Sequence, residues 1–175
     1  MIGISGSIFS DLEWGRRLEV PKRSAGLLMY RRGGRGLEVF LVHPGGPYWA
    51  NKDLGAWSVP KGEYGEDEEP LEAARREFKE ETGFGVDGGE FLSLGEIRQA
   101  GGKMVSVWAH EGDIDPGSLV SNLCTIEWPA RSGRSIEIPE VDRGGWFTIG
   151  EAQDRIFKSQ QPFLSTLMTT LERGC

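Results

Sequence analysis

A run of acidic side chains near the middle of the chain has the spacing of a metal-binding helix. The run lies between Gly62 and Phe84 and reads GEYGEDEEPLEAARREFKEETGF. On a helix, Glu77, Glu80 and Glu81 fall on one arc, because residues three and four positions apart are neighbours. Three like charges on one arc repel each other, and a dication between them would remove that repulsion. Oxygen ligands that leave room for water and substrate phosphates suit Mg²⁺ or Mn²⁺ rather than Zn²⁺.

The same acids have a simpler interpretation as a solvated face, which is the usual role of acidic helical runs in soluble proteins. The spacing of a larger set of residues favours the metal site. These residues are Gly62, Glu68, Arg76, Glu77, Phe78, Glu80, Glu81, Gly83 and Phe84. They match every defined position of the Nudix box, and residue frequencies give a chance match on the order of 10⁻⁵ or less across the chain. The chain therefore resembles the Nudix hydrolase family.

The resemblance implies a fold, a reaction and a role for each residue of the box. Nudix enzymes have an α/β/α sandwich with a central mixed β-sheet, and with divalent cations they hydrolyse a nucleoside diphosphate linked to another group. The implied metal ligands are three carboxylates and the carbonyl of the first glycine of the box: Gly62, Glu77, Glu80 and Glu81. Arg76 and Glu68 would form a supporting pair, in which the planar guanidinium orients the carboxylates. A plain surface ion pair is the alternative for Arg76.

Hydrolysis also needs a base for the attacking water, and the sequence offers several carboxylates. Within the box, Glu80 or Glu81 would serve. Outside the box, Glu140 in the segment EIPEVDRGGWF has a spacing similar to that of the late glutamate of diadenosine tetraphosphate hydrolases. Asp142 and Glu127 compete with it, and each of these acids is equally well explained as a surface residue. The predicted catalytic residues are Arg76, Glu80, Glu81 and Glu140.

Two lysines are candidates for binding substrate phosphates. The segment WSVPKGE resembles the approach to the box in dinucleoside polyphosphate hydrolases, in which Lys61 would hold a phosphate and Trp57 would pack in the core. Lys103 opens the segment KMVSVW, which resembles the strand after the box in the same group, although a lysine at a strand start is usually solvated. Four arginines in predicted loops would extend a phosphate track: Arg31, Arg32, Arg131 and Arg134.

Two aromatic residues are candidates for binding a base. Tyr48 and Trp49 lie in the loop HPGGPYWANKDLGAW, and an aromatic face stacks on any base. The resemblance to the family implies a nucleotide substrate, and the likeness of WSVPKGE and KMVSVW to dinucleoside polyphosphate hydrolases makes a compound such as diadenosine tetraphosphate the best match. One departure is that asymmetric dinucleoside tetraphosphate hydrolases usually carry a tyrosine after the box, whereas all three tyrosines here precede its end.

Two other functions stay open at this point. The first is a pyrophosphatase of nucleoside triphosphates or their deoxy forms, of the housecleaning type. The second is a non-catalytic Nudix module that binds a nucleotide. Such modules commonly lose one of the metal glutamates, and this chain keeps all of them, which favours an enzyme.

The elements that position these residues are predicted by local patterns. Pro70 near the start and Gly83 at the end predict a helix over residues 69–82. Apolar runs predict strands at residues 24–30, 37–43, 91–97, 103–111 and 144–149. Residues 112–135 have few apolar positions and are interpreted as a long loop, and two helical segments follow near the C-terminal end. Mixed strands and helices predict the α/β class.

Length and composition limit the remaining possibilities. The chain has 175 residues, which predicts one domain at residues 24–175 after a weakly patterned N-terminal extension at residues 1–23. A net charge of -7 argues against a stable nucleic-acid complex or an anionic membrane as partner. No apolar run is long enough to span a membrane. The two cysteines have no paired spacing, which predicts a cytoplasmic protein without disulfides. The oligomeric state stays open.

Overall fold

Two adjacent strands, β1 (Arg23–Gly33) and β2 (Gly36–Pro44), form the centre of a β-sheet in the computed structural model, which describes residues 22–174. They pair antiparallel around a tight turn, in which Gly36 has a φ of 94° that favours glycine. Both strands are buried along most of their length, because both faces of the sheet are covered. The predicted strand, turn and strand at this position are confirmed.

The other strands complete a mixed sheet and a separate hairpin. They are β3 (Lys61–Glu63), β4 (Phe91–Arg98), β5 (Met104–Glu111), β6 (Leu123–Glu127), β7 (Ser135–Pro139) and β8 (Val141–Thr148). The main sheet has the order β4-β5-β1-β2-β8, and β3 pairs with β1. Strands β1 and β5 run parallel, whereas the other pairs are antiparallel. The predicted mixed sheet of the α/β class is therefore confirmed.

Three helices cover the two faces of the sheet. Helix α1 (Pro70–Thr82) packs on one face through Ala74 and Phe78, which lie in a core with Leu27 and Phe40. Helices α2 (Ile149–Arg155) and α3 (Gln161–Arg173) pack on the other face. The result is the expected α/β/α sandwich.

The first helix begins and ends where the sequence predicts. Glu69 is its N-cap, with extended backbone angles, and Pro70 occupies the first turn. Gly83 ends the helix with a φ of 82°, and its N–H donates to the carbonyl of Lys79. This left-handed cap favours glycine because a Cβ would be strained there. The cap fixes the point at which the chain leaves the carboxylate-bearing helix.

The segment interpreted as a loop at residues 112–135 contains regular structure, which is a correction. Strands β6 and β7 pair antiparallel as a two-stranded sheet of their own. Each strand alternates only two partly buried apolar or sulfur side chains with exposed ones, so the pattern is too short to be recognised in sequence. Ile126 and Ile138 face Gly46, where a Cβ would press against Ile138. The hairpin therefore packs against the loop that follows β2.

Several predictions concern parts of the chain at its ends. Residues 1–21 of the predicted extension 1–23, and residue 175, lie outside the described residues. The proposed domain boundary at residue 24 falls one residue after the start of β1. None of the helices in residues 22–174 is long and apolar enough to cross a membrane.

Candidate functional site

A cavity of about 550 Å³ lies between helix α1, strand β3 and the start of β8. Most of the residues that the sequence singled out line it: Lys61, Gly62, Glu77, Glu80, Glu81, Lys103 and Glu140. An apolar part of the wall is formed by Val42, Pro44, Val141 and Phe157. The cavity thus has carboxylates, ammonium groups and apolar surface within one enclosure.

Strand β3 brings the first glycine of the box against the helix. Gly62 pairs with Ala25 of β1, and a Cβ at Gly62 would overlap the carboxylate of Glu77. A residue with a side chain is therefore excluded unless Glu77 or the strand moves. The neighbouring amide N–H of Lys61 donates to Glu81 Oε2 at 3.0 Å. Strand and helix are joined through the two buried carboxylates.

Arg76 holds several of the carboxylates at once. Its Nε and Nη2 donate to the two oxygens of Glu68 at 2.8 and 2.9 Å, which is a bidentate pair. Its Nη1 donates to Glu77 at 2.6 Å and to Glu80 at 3.2 Å. The hydrogen bonds that Arg76 donates to Glu68, reinforced by the one to Glu77, raise the pKa of Arg76 above its usual range. The pair with Glu68 is present as the resemblance implies, and the guanidinium also orients two of the predicted metal ligands.

The helix carboxylates differ in their exposure to solvent. Glu77 and Glu81 are 7% and 6% exposed, whereas Glu80 is exposed. Burial raises the pKa of Glu81 to about 8, with Lys61 opposing the shift and Glu140 adding to it. Burial also raises the pKa of Glu77, against the opposing effect of Arg76. Buried carboxylates of this kind ionise readily only when a cation is close.

The donor set fits a hard divalent cation. All of its side-chain donors are carboxylate oxygens, and a cation between them would offset the burial and mutual repulsion that raise their pKa values. Within residues 22–174, no three acidic, histidine or cysteine side chains converge into a preformed metal cage. The carboxylates are instead held by Arg76 and by the amide of Lys61. Cation binding would therefore require small side-chain rotations away from these partners.

Glu140 reaches the cavity from a one-residue connection between β7 and β8. Its N–H donates to the carbonyl of Asn122 at 3.0 Å, and its carbonyl accepts from the N–H of Gly45 at 2.9 Å. The N–H of Asn122 donates in turn to the carbonyl of Glu80 at 2.9 Å. The backbone of Glu140 is thus linked through one residue to the helix of the box. No local motif in the sequence indicated Asn122.

The two competing carboxylates lie elsewhere. Asp142 contacts His43 at 2.9 Å and Arg143 at 3.4 Å. Glu127 accepts a hydrogen bond from the N–H of Gly133 in the turn between β6 and β7. Neither of them lines the cavity. Their absence from the cavity wall favours Glu140 among the late acids.

The two lysines line the cavity in different environments. Burial lowers the pKa of the Lys61 ammonium, and Glu81 opposes this shift. Lys103 Nζ donates to Glu63 Oε1 at 3.0 Å, which lowers the pKa of Glu63. Lys103 comes directly before β5, and the parallel pairing of β5 with β1 brings it beside β3. Both ammonium groups therefore belong to the wall of the same cavity.

The predicted aromatic pair lies beside the cavity rather than in its wall. Trp49 packs edge-on against Phe157 with ring centroids 5.3 Å apart, and Phe157 itself lines the cavity. Tyr48 is 59% exposed, and the ammonium of Lys52 lies 3.2 Å from its ring centroid. One face of Tyr48 is thus already covered by a cation. Sequence analysis did not identify Phe157, because this residue follows α2 and belongs to no recognisable motif.

Other predicted residues have structural roles or lie apart from the cavity. Trp57 is buried in the core, as predicted, and its Nε1 donates to Asp53 at 2.8 Å. Arg31 pairs with Glu38 and Asp113 and lies over the ring of Trp146. The predicted phosphate track is not brought together, since none of its arginines lines the cavity: Arg31, Arg32, Arg131 and Arg134.

Comparison with known proteins relates this architecture to a family. A family model described as the NUDIX domain matches residues 20–167. The C. elegans Ap4A hydrolase, solved as a binary complex, has a TM-score of 0.61 at 18% identity, covering 87% of this chain and 99% of that one. The NUDIX domain of Shewanella oneidensis NrtR, complexed with ADP ribose, has a TM-score of 0.60 at 16% identity, covering 87% and 90%.

A third solved structure has a different kind of partner. The C-terminal domain of mouse MUTYH, in complex with human PCNA, has a TM-score of 0.56 at 15% identity and covers 87% of this chain and 91% of that one. At these identities the likeness establishes the fold alone. A search of curated proteins finds no match to the sequence.

Proposed function

Because the chain belongs to the Nudix family of hydrolases, which act on pyrophosphate bonds, we propose that it cleaves a phosphoanhydride bond of a dinucleoside polyphosphate with Mg²⁺. The observation that carries this proposal is the composition of the cavity wall. Five carboxylates and two ammonium groups line a volume that also has an apolar side. Such a wall suits a polyanion that arrives with a cation and carries an apolar base.

The carboxylates of the box are assigned to the metal ion. Glu77, Glu80 and Glu81 would hold it, and the carbonyl of Gly62 adds a neutral oxygen beside them. When bound, the ion supplies charge neutralisation of the pyrophosphate and activation of water. Mn²⁺ would satisfy the same oxygen donors. Arg76 keeps Glu77 and Glu80 oriented through the bonds described above.

The remaining polar residues of the cavity act on the substrate and the water. Lys61 and Lys103 would bind phosphate oxygens, which their position in the same wall permits. Glu140 would take a proton from the water that attacks phosphorus. A new bond forms between phosphorus and the water oxygen, the bond from that phosphorus to the bridging oxygen breaks, and the other nucleoside phosphate leaves with the bridging oxygen.

The apolar side of the cavity is assigned to a nucleobase. Phe157 presents its ring to the cavity, and Trp49 holds that ring from behind. Tyr48 lies farther out at the surface, under Lys52, where it would contact the second nucleoside of a dinucleotide. A nucleoside triphosphate would use only the inner aromatic residue. This difference makes the length of the substrate the main question for experiment.

A panel of nucleotides tests the proposal directly. Purified protein would be assayed with diadenosine tetraphosphate, nucleoside triphosphates and their deoxy forms, NADH and ADP-ribose, with Mg²⁺, with Mn²⁺ and with chelator. We expect metal-dependent turnover that is fastest on the dinucleoside polyphosphate, and analysis of the products locates the bond that is cut. Equal turnover of every compound would contradict the dinucleotide preference. Faster turnover of triphosphates would favour the housecleaning function.

Substitution of a metal ligand provides the second test. Glu81→Gln keeps the shape of a buried side chain and removes its charge, so we expect kcat to fall by about 100-fold or more. Glu66→Gln, at an exposed acid before the helix, is the matched control and should retain wild-type kcat. Full Mg²⁺-dependent turnover by Glu81→Gln on every nucleotide would refute the metal assignment. Nucleotide binding without turnover by the wild-type protein would favour a non-catalytic module.

The cellular location is proposed from the cysteine content. The two cysteines have no paired spacing, which suits the reducing conditions of the cytoplasm. Fractionation of cells expressing the tagged full-length chain measures this directly. Recovery of the chain outside the cytoplasmic fraction would contradict it.

A further inference from the structure

A buried histidine lies directly behind the wall of the cavity. His43 is 0% exposed, and its neighbours in β2, Val42 and Pro44, line the cavity while His43 does not. Because side chains alternate along a strand, His43 points to the opposite face of the sheet, where its ring packs edge-on against Trp57 at 5.2 Å. It therefore cannot touch a substrate, and the mechanism above gives it no task.

Both ring nitrogens of His43 have partners. Nδ1 lies 2.9 Å from Asp142 Oδ1, and Nε2 lies 2.7 Å from the carbonyl oxygen of Lys52. A carbonyl oxygen only accepts, so Nε2 must donate to it. The contact between Nδ1 and Asp142 Oδ1 is a hydrogen bond whose proton lies on one of these two atoms. One side chain thus links the loop after β2 to the first residues of β8.

Asp142, the partner of His43, lies at an irregularity in the pairing of the sheet. In the pairing of β2 with β8, His43 is opposite Arg143 and Pro44 is opposite Val141, so Asp142 is the extra residue of a β-bulge. A bulged residue has no ladder partner and needs another anchor. Glu140 comes two residues earlier, at the cavity. The side chain of Asp142 is 26% exposed, and its other contact is with the adjacent Arg143 in the same strand, so without His43 the bulge would lose its side-chain link to β2.

We infer that His43 is a positioning residue that fixes Glu140 in the cavity by anchoring the bulge at Asp142. This inference rests on the proposed role of Glu140 as the base. Gly45 and Asn122 hold the backbone of Glu140, and His43 holds Asp142 two residues later, so the three contacts together hold the segment that carries the carboxylate. A displacement of about 1 Å at such a group lowers a rate by up to about 100-fold.

The kinetic test replaces the imidazole by a phenyl ring, which keeps the packing and removes both hydrogen bonds. His43→Phe retains the contact with Trp57, and we expect kcat to fall by about tenfold to 100-fold while KM stays within about threefold. Asp142→Ala removes the same bond at a partly exposed position, so it tests the inference even if the buried substitution prevents folding. Asp142→Asn keeps an acceptor oxygen, so it should retain most of the wild-type kcat that Asp142→Ala loses. In a Glu140→Gln background, His43→Phe should cause no further loss.

The other histidine of the chain provides a matched control. His110 Nδ1 hydrogen-bonds the carbonyl of Glu90 at 3.0 Å, but His110 lies on β5 and does not line the cavity. His110→Phe should leave kcat unchanged. An unchanged kcat in His43→Phe and Asp142→Ala would overturn the inference. So would an equal fold-loss from His43→Phe with and without Glu140.

Hydrogen exchange separates failure of this inference from failure of the proposed function. In Asp142→Ala and His43→Phe, we expect faster exchange at the amides of Gly45 and Glu140, measured by mass spectrometry of the corresponding peptides. Peptides from the core of β1 should keep wild-type rates. If the wild-type protein hydrolyses nothing in the panel, the proposed function fails, and the exchange result still decides whether His43 anchors this segment. Unchanged exchange at both amides would overturn the anchor.

Discussion

Replacing Gly62 by alanine tests the geometry of the site most directly. A methyl group at this position would overlap the carboxylate of Glu77, and the backbone cannot yield easily because Gly62 pairs with Ala25. Either Glu77 rotates away from Arg76 or strand β3 shifts. Overpacking of this kind costs about 1–3 kcal/mol of unfolding free energy. Displacement of a metal carboxylate by about 1 Å would lower kcat by about 100-fold.

A second glycine in the same segment makes the experiment interpretable. Gly65 has open space where a Cβ would be placed, so Gly65→Ala removes the same chain freedom without a clash. Such a change is neutral or stabilises by about 0.4–1 kcal/mol. Urea denaturation and kcat at increasing Mg²⁺ would be measured for both variants. If Gly62→Ala retained kcat and its Mg²⁺ half-saturation within twofold of wild type, the close approach would not matter for catalysis and the reasoning would be refuted.

Three further predictions concern charge, protonation and the aromatic wall. Arg76→Lys cannot keep the bidentate pair with Glu68 while also reaching Glu77 and Glu80, so Mg²⁺ titrations of activity should show a roughly tenfold to 100-fold lower kcat. Because burial raises the pKa of Glu81 to about 8, the folded metal-free protein holds a proton that the unfolded chain releases above about pH 4.5. Stability should therefore fall as pH rises from about 4.5 to 8, by at most about 1.4 kcal/mol per pH unit, and urea denaturation in chelator should show a flatter profile for Glu81→Gln. Phe157→Ala should raise KM by about tenfold with little change in kcat, whereas Phe157→Tyr should restore KM; steady-state kinetics decides both.

Much of the fold follows from patterns within short segments. The signals for the two ends of α1, Pro70 and Gly83, and the apolar runs of β1 and β2 are local patterns that the structure confirms. The hairpin of β6 and β7 escaped detection because each strand has only two partly buried positions. A strand that short is stabilised by contacts with distant residues, here the loop at Gly46, and such contacts leave no local pattern.

The candidate site also has one part that the sequence predicts and another part that it does not. The spacing of Glu77, Glu80 and Glu81 within one helix, and the match of the box to a family, are properties of the sequence alone. The sequence by itself thus determined the helix and the grouping of carboxylates along it, because residues three and four apart are always neighbours on a helix.

Only the tertiary structure decided which distant groups join that helix. Glu140 lines the cavity whereas Asp142 and Glu127 do not, and the sequence favoured Glu140 only through a resemblance in spacing. The positions of Phe157 and of the anchor at His43 likewise could not be predicted from the sequence, since each depends on how β2, β8 and the segment after α2 pack together. The physical reason is that residues far apart in the chain meet only through sheet order and packing, and these are set by the whole core.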